Sequence, residues 1–317
     1  MRQTWLGHVA CFLSYAIFGV NIVLCKDIAG SDILTPYGLF FLRVVGATAL
    51  FWLSSAFVPK EHIPRKDMIQ IVVASFFGLF LTQMTFLVGI REVSSIDASM
   101  ISTLSPIFTM FFAAYFIKEP VTVKKAVGVV VSLAGIILLL TNSFYSSDES
   151  KSTTLLGTIL LLVNCFTFAL YLGAFRPLIA RYHVVNFMKW MFLFTLIISL
   201  PFCTSDGLGF VREASSHHDD AIVVRLVWET LYVVVFATFV AYFLIPIGQK
   251  HLRPTLVSMY SYMQPVIAVV ISVVIGMDSL SWQKDLAIIL VFLGVAIVNR
   301  SRTAPYVTQH RKISYNP

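Results

Sequence analysis

The chain has 317 residues, of which 58% are hydrophobic and only 12% are charged, with a mean hydropathy of +0.84 and a net charge of +7. A soluble domain carries roughly 25% charged residues, so the composition excludes an ordinary soluble protein and indicates one embedded in a lipid bilayer. Because the basic residues lie in short segments between apolar runs, they indicate membrane topology and not a nucleic-acid partner.

Ten apolar runs are long enough to cross a bilayer as helices, which takes about 20 residues each. In chain order they cover residues 6–25, 35–58, 68–90, 95–117, 122–141, 155–175, 185–203, 227–248, 255–276 and 283–299. The segments between them are short and rich in turn-forming residues, apart from a longer loop expected at 204–226. We therefore predict an all-α membrane protein with ten transmembrane helices.

The distribution of Lys and Arg predicts the orientation of these helices. Alternate crossings place 16 of the 23 basic residues on the side of the N-terminus and 6 on the other side, and Arg43 lies within a span. Basic residues accumulate on the cytoplasmic side, so both termini are expected in the cytoplasm of a multi-pass protein of the plasma (inner) membrane.

A membrane segment occurs twice in the chain. The string from Ser99 to Pro106 (SMISTLSP) returns from Ser258 to Pro265 (SMYSYMQP) at an offset of 159 residues. Five predicted helices per half is an odd number, so the second half must be inverted relative to the first. We expect a first repeat at 1–145, a second repeat at 146–300 and a basic cytoplasmic tail at 301–317. Two inverted halves predict a shared site near the middle of the membrane.

Polar and aromatic residues at helical spacing predict a cavity between the halves, because polar side chains in lipid usually face the interior of a bundle. Such a lining suits a small amphipathic solute. For each Ser or Thr the alternative is a packed helix interface with a bond to the backbone. The candidate substrate-binding residues are Ser14, Phe18, Asn21, Gln83, Phe86, Ser99, Thr103, Asn164, Thr167, Tyr171, Thr238, Tyr242, Tyr262 and Gln264.

Three further residues in the predicted spans have a functional and a structural interpretation. Pro106 and Pro265 each remove one backbone hydrogen bond, which predicts a hinge or cavity wall in one interpretation and a static kink in the other. Arg43 lies about eight residues into the second span, where it would contact an anionic group or a helix end, or extend to the lipid headgroups.

No cofactor, metal site or catalytic set is predicted. The chain has no phosphate-binding loop motif, and the nearest acids to the membrane interior, Asp97 and Glu229, lie near helix ends. The pair His217-His218 has no further ligands at metal-binding spacing, so a hydrated loop is favoured over a metal site. The cysteines are expected to be buried thiols in apolar runs: Cys11, Cys25, Cys165 and Cys203.

The runs at 83–90 (QMTFLVGI), 98–108 (ASMISTLSPIF) and 118–122 (KEPVT) resemble the EamA-type branch of the drug/metabolite transporter superfamily. The resemblance covers about 8–141 and 156–299, and it departs in the second repeat, where Asp278 replaces the Glu and Gln264 precedes the proline. It implies ten helices, an inverted repeat, cytoplasmic termini and a central cavity lined by helices 1, 3, 4, 6, 8 and 9. It also implies export or exchange of amino acids and related metabolites.

We therefore expect a secondary transporter, and not an enzyme, that exports or exchanges such a solute by alternating access. Its expected partners are the lipid bilayer and the solute, and the sequence leaves the oligomeric state and the coupling ion open. One alternative is a facilitative uniporter or channel-like permease. A membrane-embedded transferase is the other, and it would need catalytic residues at one membrane face.

Overall fold

A computed structural model of the chain describes residues 2–118, 122–144, 153–216, 221–276 and 282–299. Within these ranges the regular secondary structure is entirely helical. Glu119 and Asp278 of the repeat, the pair His217-His218 and the tail 301–317 lie outside them.

The first half of the chain forms seven α-helices and one π-helix: α1 (Arg2–Gly30), α2 (Pro36–Ser55), α3 (Arg65–Ser75), the π-helix Phe76–Leu81, α4 (Thr82–Arg91), α5 (Ser95–Ser102), α6 (Ser105–Ile117) and α7 (Val123–Phe144).

The second half follows a similar order of helices and again contains one π-helix. Its elements are α8 (Leu155–Ala174), α9 (Arg176–Ile179), α10 (Val184–Ser216), α11 (Ala221–Tyr232), the π-helix Val233–Val240, α12 (Ala241–His251), α13 (Pro254–Met259), the 3₁₀ turn Tyr260–Tyr262, α14 (Met263–Val274) and α15 (Trp282–Asn299).

Eight helical stretches in the described part of the chain are long and apolar enough to cross a membrane. Each stretch coincides with a predicted span. Four of the stretches consist of two successive helices each: α3 and α4, α5 and α6, α11 and α12, and α13 and α14. The other two predicted spans coincide with α7 and α15, which pack side by side.

The loop predicted at 204–226 is wrong over most of its length. Helix α10 continues through Pro201 to Ser216, and α11 begins at Ala221. Tertiary contacts hold the end of α10: the Asp206 carboxylate accepts a hydrogen bond of 2.6 Å from the Thr35 hydroxyl, and Phe210 is buried in the core. The loop was predicted as the polar gap between two apolar runs, and these contacts explain why the chain stays helical there.

Helix breaks occur at equivalent places in the two halves. The π-helices interrupt the third and eighth of the ten predicted spans, and the fourth and ninth of these spans are interrupted just before Pro106 and Pro265. Pro106 lies at the start of α6, where the missing N–H would have had no helical partner. Each predicted kink is thus a short break between two helices.

Helices from the two halves pack against each other in antiparallel pairs. Thr35, at the start of α2, bonds Asp206 late in α10, and the ring of Phe51 near the end of α2 stacks on that of Phe192 early in α10, at 5.2 Å between centroids. Likewise α5 packs on α14 while α13 packs on α6.

The polar segments between helices form two separate groups. In one, the Asp67 carboxylate accepts hydrogen bonds from Tyr182 (2.6 Å) and Arg181 (3.1 Å). Burial, and then the bond to Asp67, raise the pKa of Tyr182 to about 12. In the other, Arg91 pairs with Asp32 at 2.5 Å. The segments in each group are those that alternate crossings assign to the same side of the membrane.

Close packing of α2 on α10 gives a test of the fold. A Cβ at the buried Gly207 would overlap the Phe41 ring, whereas a Cβ at Gly209 would meet nothing within 4 Å. We expect Gly207→Ala to destabilise the protein by about 1–3 kcal/mol. The control, Gly209→Ala, should leave the melting temperature unchanged or raise it, because Ala favours a helix by about 1 kcal/mol over Gly. Thermal unfolding in detergent measures both, and equal melting temperatures would contradict this packing.

Candidate functional site

A polar cavity lies between the two halves of the chain. Helices from both halves contribute to it, and its lining combines one charged residue with amides, hydroxyls and aromatic rings. The lining residues are Tyr15, Phe18, Asn21, Ile22, Arg43, Thr82, Gln83, Phe86, Ser102, Ser105, Asn164, Phe168, Tyr242 and Gln264.

A larger groove of about 1340 Å³ follows α2, the end of α10 and α11. Its lining is mostly aliphatic and includes Trp228, so it offers few groups that could orient a polar solute. No group of three or more His, Cys, Asp or Glu that could hold a metal ion occurs in the described part of the chain. The polar cavity is therefore the candidate site.

Arg43 supplies the charge of the cavity. Its side chain is 2% exposed, and its Nε donates a hydrogen bond of 2.9 Å to the Thr238 hydroxyl. Thr238 in turn donates to the carbonyl of Val233, five residues earlier in the π-helix, at 2.7 Å. One guanidinium nitrogen also lies 4.0 Å from the Cys25 sulfur. The π-helix thus holds the hydroxyl that orients Arg43.

Three of the four amide side chains that line the cavity differ in their hydrogen bonds. Asn164 donates to the Thr82 carbonyl at 2.7 Å, and the Asn21 carbonyl accepts a bond of 3.4 Å from the Cys25 thiol. Gln83 is 2% exposed, and neither of its amide atoms has a partner within hydrogen-bonding distance, although Tyr242 lies beside it. An amide buried without partners costs about 1–3 kcal/mol, which a bound solute would offset.

Aromatic rings form one wall of the cavity. Phe18 contacts Tyr15 at 5.9 Å and Tyr242 at 5.7 Å between ring centroids, both in edge-to-face geometry. Ring-edge contacts of this kind fix the orientation of each ring. The wall can therefore hold the apolar part of a solute while the amides and Arg43 bind its polar part.

The structure brings together about half of the predicted site. Eight predicted residues line the cavity, counting Arg43: Phe18, Asn21, Arg43, Gln83, Phe86, Asn164, Tyr242 and Gln264. Seven lie outside its lining: Ser14, Ser99, Thr103, Thr167, Tyr171, Thr238 and Tyr262.

Two of the seven support lining residues from behind: Thr238 bonds Arg43, and the hydroxyls of Thr167 and Thr82 lie 2.9 Å apart. The hydroxyl of Ser14 bonds the carbonyl of Ala241 in α12 at 3.1 Å and so joins two helices.

The remaining four lie in packed interfaces. Ser99 and Thr103 donate to backbone carbonyls three residues earlier, each at 2.6 Å. Tyr171 packs against Gly78, and Tyr262 lies in a cluster with Met100. The spacing argument assumed a continuous helix, whereas the helix is broken between α5 and α6, and Ser102 and Ser105 on either side of the break line the cavity instead.

Six lining residues were absent from the predicted set: Tyr15, Ile22, Thr82, Ser102, Ser105 and Phe168. Two of them had a signal in the sequence. Ser105 is the repeat counterpart of Gln264 at the offset of 159, and Phe168 aligns with Phe18 at an offset of 150. No pattern in the sequence marks the π-helix that places Thr82.

Known proteins share this architecture. Several relatives are described as uncharacterized transporters. One is YetK of Bacillus subtilis (strain 168), which is 23% identical over 94% of this chain and 88% of its own length. Another is the inner membrane transporter YicL of Salmonella typhimurium (strain LT2), which is 24% identical over 94% of this chain and 97% of its own length. A crystal structure with 17% sequence identity superposes with a TM-score of 0.67 over 96% of this chain and 99% of its own, which shows a common fold.

The profile of the EamA-like transporter family matches residues 5–141 and again residues 155–300. These two matches cover most of the chain and include every residue that lines the cavity. The apolar helices and the family together make the chain an integral, multi-pass membrane transporter. The chain belongs to the EamA-like transporter family.

Proposed function

We propose that the chain is a secondary transporter that exports or exchanges amino acids or similar small metabolites by alternating access around the polar cavity. The observation that carries this proposal is a cavity built by both halves of the chain, with Asn21 and Gln83 from one half and Asn164 and Gln264 from the other. A site shared by two repeats can open to either side when one repeat moves against the other.

The proposed architecture is ten membrane-spanning helices in two inverted five-helix repeats, at 1–145 and 146–300. Two observations support the inversion: α2 packs antiparallel to α10, and α5 packs on α14 as α13 packs on α6. The breaks near Pro106 and Pro265 are the proposed hinges, since short interruptions let each stretch bend at the cavity.

We also propose that both termini lie in the cytoplasm and that the protein resides in the inner membrane. The 16 to 6 distribution of basic residues supports this orientation. The name of YicL, an inner membrane transporter, describes a relative of nearly the same length.

Single cysteines at the two ends of one helical stretch test the orientation. Lys60 and Glu92 are exposed before α3 and after α4, and the four native cysteines are buried. We expect Glu92→Cys to react with a membrane-impermeant maleimide in intact bacteria and Lys60→Cys to react only after permeabilisation. The opposite pattern would contradict the orientation, and equal labelling of both in intact cells would show that this stretch does not cross the membrane.

Substitution of Gln83 separates transport from stability. We expect Gln83→Leu to lower flux in proteoliposomes roughly threefold to tenfold, the range for loss of one hydrogen-bonding group. Its melting temperature should stay the same or rise, because the substitution removes a buried amide without partners. The control is Thr85→Val on the same helix, whose hydroxyl bonds only backbone carbonyls outside the cavity lining. Unchanged flux in Gln83→Leu would remove Gln83 from the site.

Counterflow distinguishes a carrier from the alternatives. Purified protein in liposomes, tested with radiolabelled amino acids and nucleosides with and without a pH gradient, should show uptake that is stimulated by the same solute inside. A channel-like permease gives flux without this stimulation, and a transferase would alter the solute chemically. Either result would contradict the proposal.

A further inference from the structure

We propose that the cavity selects cargo with a net negative charge: a small organic anion whose carboxylate, or similar oxyanion, binds Arg43. The inference rests on the proposed function and narrows its substrate class. Among amino-acid-like metabolites, it favours carboxylates without an amino group over zwitterions and amines.

The charge of the lining carries the inference. Of the described residues that form it, Arg43 is the only Lys, Arg, His, Asp or Glu, and the others are aromatic, aliphatic, hydroxyl or amide side chains. An empty cavity therefore holds one positive charge in a site buried by protein. Because a buried charge without a counter-ion is costly, an anion gains more from entering than a neutral or cationic solute of the same shape.

Protein carboxylates do not neutralise Arg43 in the described part of the chain. No Asp or Glu oxygen there lies within 4.0 Å of the guanidinium. The acids on α1 and α11, Asp27 and Glu229, both contact Arg225 instead, at 3.6 and 3.8 Å. The counter-ion for Arg43 is therefore left for the cargo to supply.

Arg43 is also oriented for this task. Thr238 accepts from its Nε and Cys25 contacts a second nitrogen, whereas a guanidinium has five N–H donors. Donors thus remain for an oxyanion in the cavity, where bonds between ionised groups are the strong ones. The amide of Gln83 can bind a further polar group of the same solute.

A zwitterion would fit less well. Its ammonium group is matched best by a carboxylate, and the described lining has amide oxygens and aromatic rings, which attract a cation more weakly, but no carboxylate. The gain of its carboxylate at Arg43 would be offset by desolvation of the ammonium. The net charge of the cargo, and not the carboxylate alone, is therefore the property selected.

Triads of radiolabelled solutes that have a similar carbon skeleton but different charges test the inference by counterflow. One triad is 4-methylpentanoate, leucine and 3-methylbutylamine, which share a skeleton and carry charges of −1, 0 and +1. The second is pentanoate, norvaline and butylamine. Protein-free liposomes correct for passive leak. We expect the carboxylate to be preferred over the amino acid roughly 10- to 100-fold, as one or two charge-assisted bonds would give.

Gln83→Glu changes the charge of the cavity without disturbing Arg43. Glu has nearly the shape of Gln, and its negative charge would balance that of Arg43, so that the lining carries no net charge. The ratio of carboxylate flux to amino-acid flux should therefore fall at least tenfold. Gln70→Glu, on α3 outside the lining, adds the same charge and should leave the preference unchanged. Arg43→Gln should also abolish the preference, and melting temperatures show whether each variant is folded.

The outcomes separate the two proposals. Trans-stimulated flux of the amino acids or amines at rates equal to or above those of the carboxylates would overturn the charge inference and leave the carrier intact. A preference that Gln83→Glu leaves unchanged would also overturn it. If no member of either triad shows trans-stimulated flux while the broader panel of amino acids and nucleosides does, the anion inference is overturned and the carrier mechanism is supported. Absence of trans-stimulation for every solute would overturn the carrier mechanism and the inference with it.

Discussion

The structure depends on one constraint of the bilayer: a backbone N–H or C=O that leaves a helix in lipid must find another partner inside the protein. The interrupted helices of this chain satisfy it with threonine hydroxyls. Thr82 and Thr238 each donate to the carbonyl five residues earlier, at 2.6 and 2.7 Å, where a π-helix has displaced the usual α-helical bond. Each hydroxyl also contacts a neighbouring helix, through Thr167 in one half and Arg43 in the other. The repair of the backbone therefore also joins the helices.

The same breaks place the cavity. Because the π-helices and the interruptions before Pro106 and Pro265 recur in both halves, the irregular parts of the two halves surround a common space. A continuous helix would have presented Ser99 and Thr103 on one face, whereas the residues that line the cavity are Ser102 and Ser105, at the end of α5 and the start of α6. The breaks therefore lie beside the polar side chains that line the cavity, and they are the hinges of the proposed mechanism.

Charge is distributed in three places with different roles. At the two groups of interhelical segments, acidic and basic residues pair with each other, as Asp67 does with Arg181 and Asp32 with Arg91. In the cavity, Arg43 has only a hydroxyl and a thiol as described protein partners. The paired charges join interhelical segments to each other, and the charge without an acidic partner among the described residues is the one that the proposed anionic cargo would bind.

The sequence by itself determined the class of protein, the existence of two halves and the approximate places of the apolar helices, although not the full extent of each, because length and apolarity of a run are sufficient to specify a helix in lipid. It also identified Asn21, Gln83 and Asn164, since buried amides in apolar runs stand out. Only the tertiary structure decided that α10 extends to Ser216 and which serines face the cavity. Those outcomes depend on contacts between distant helices and on the phase shift at each helix break, and neither is encoded in local spacing.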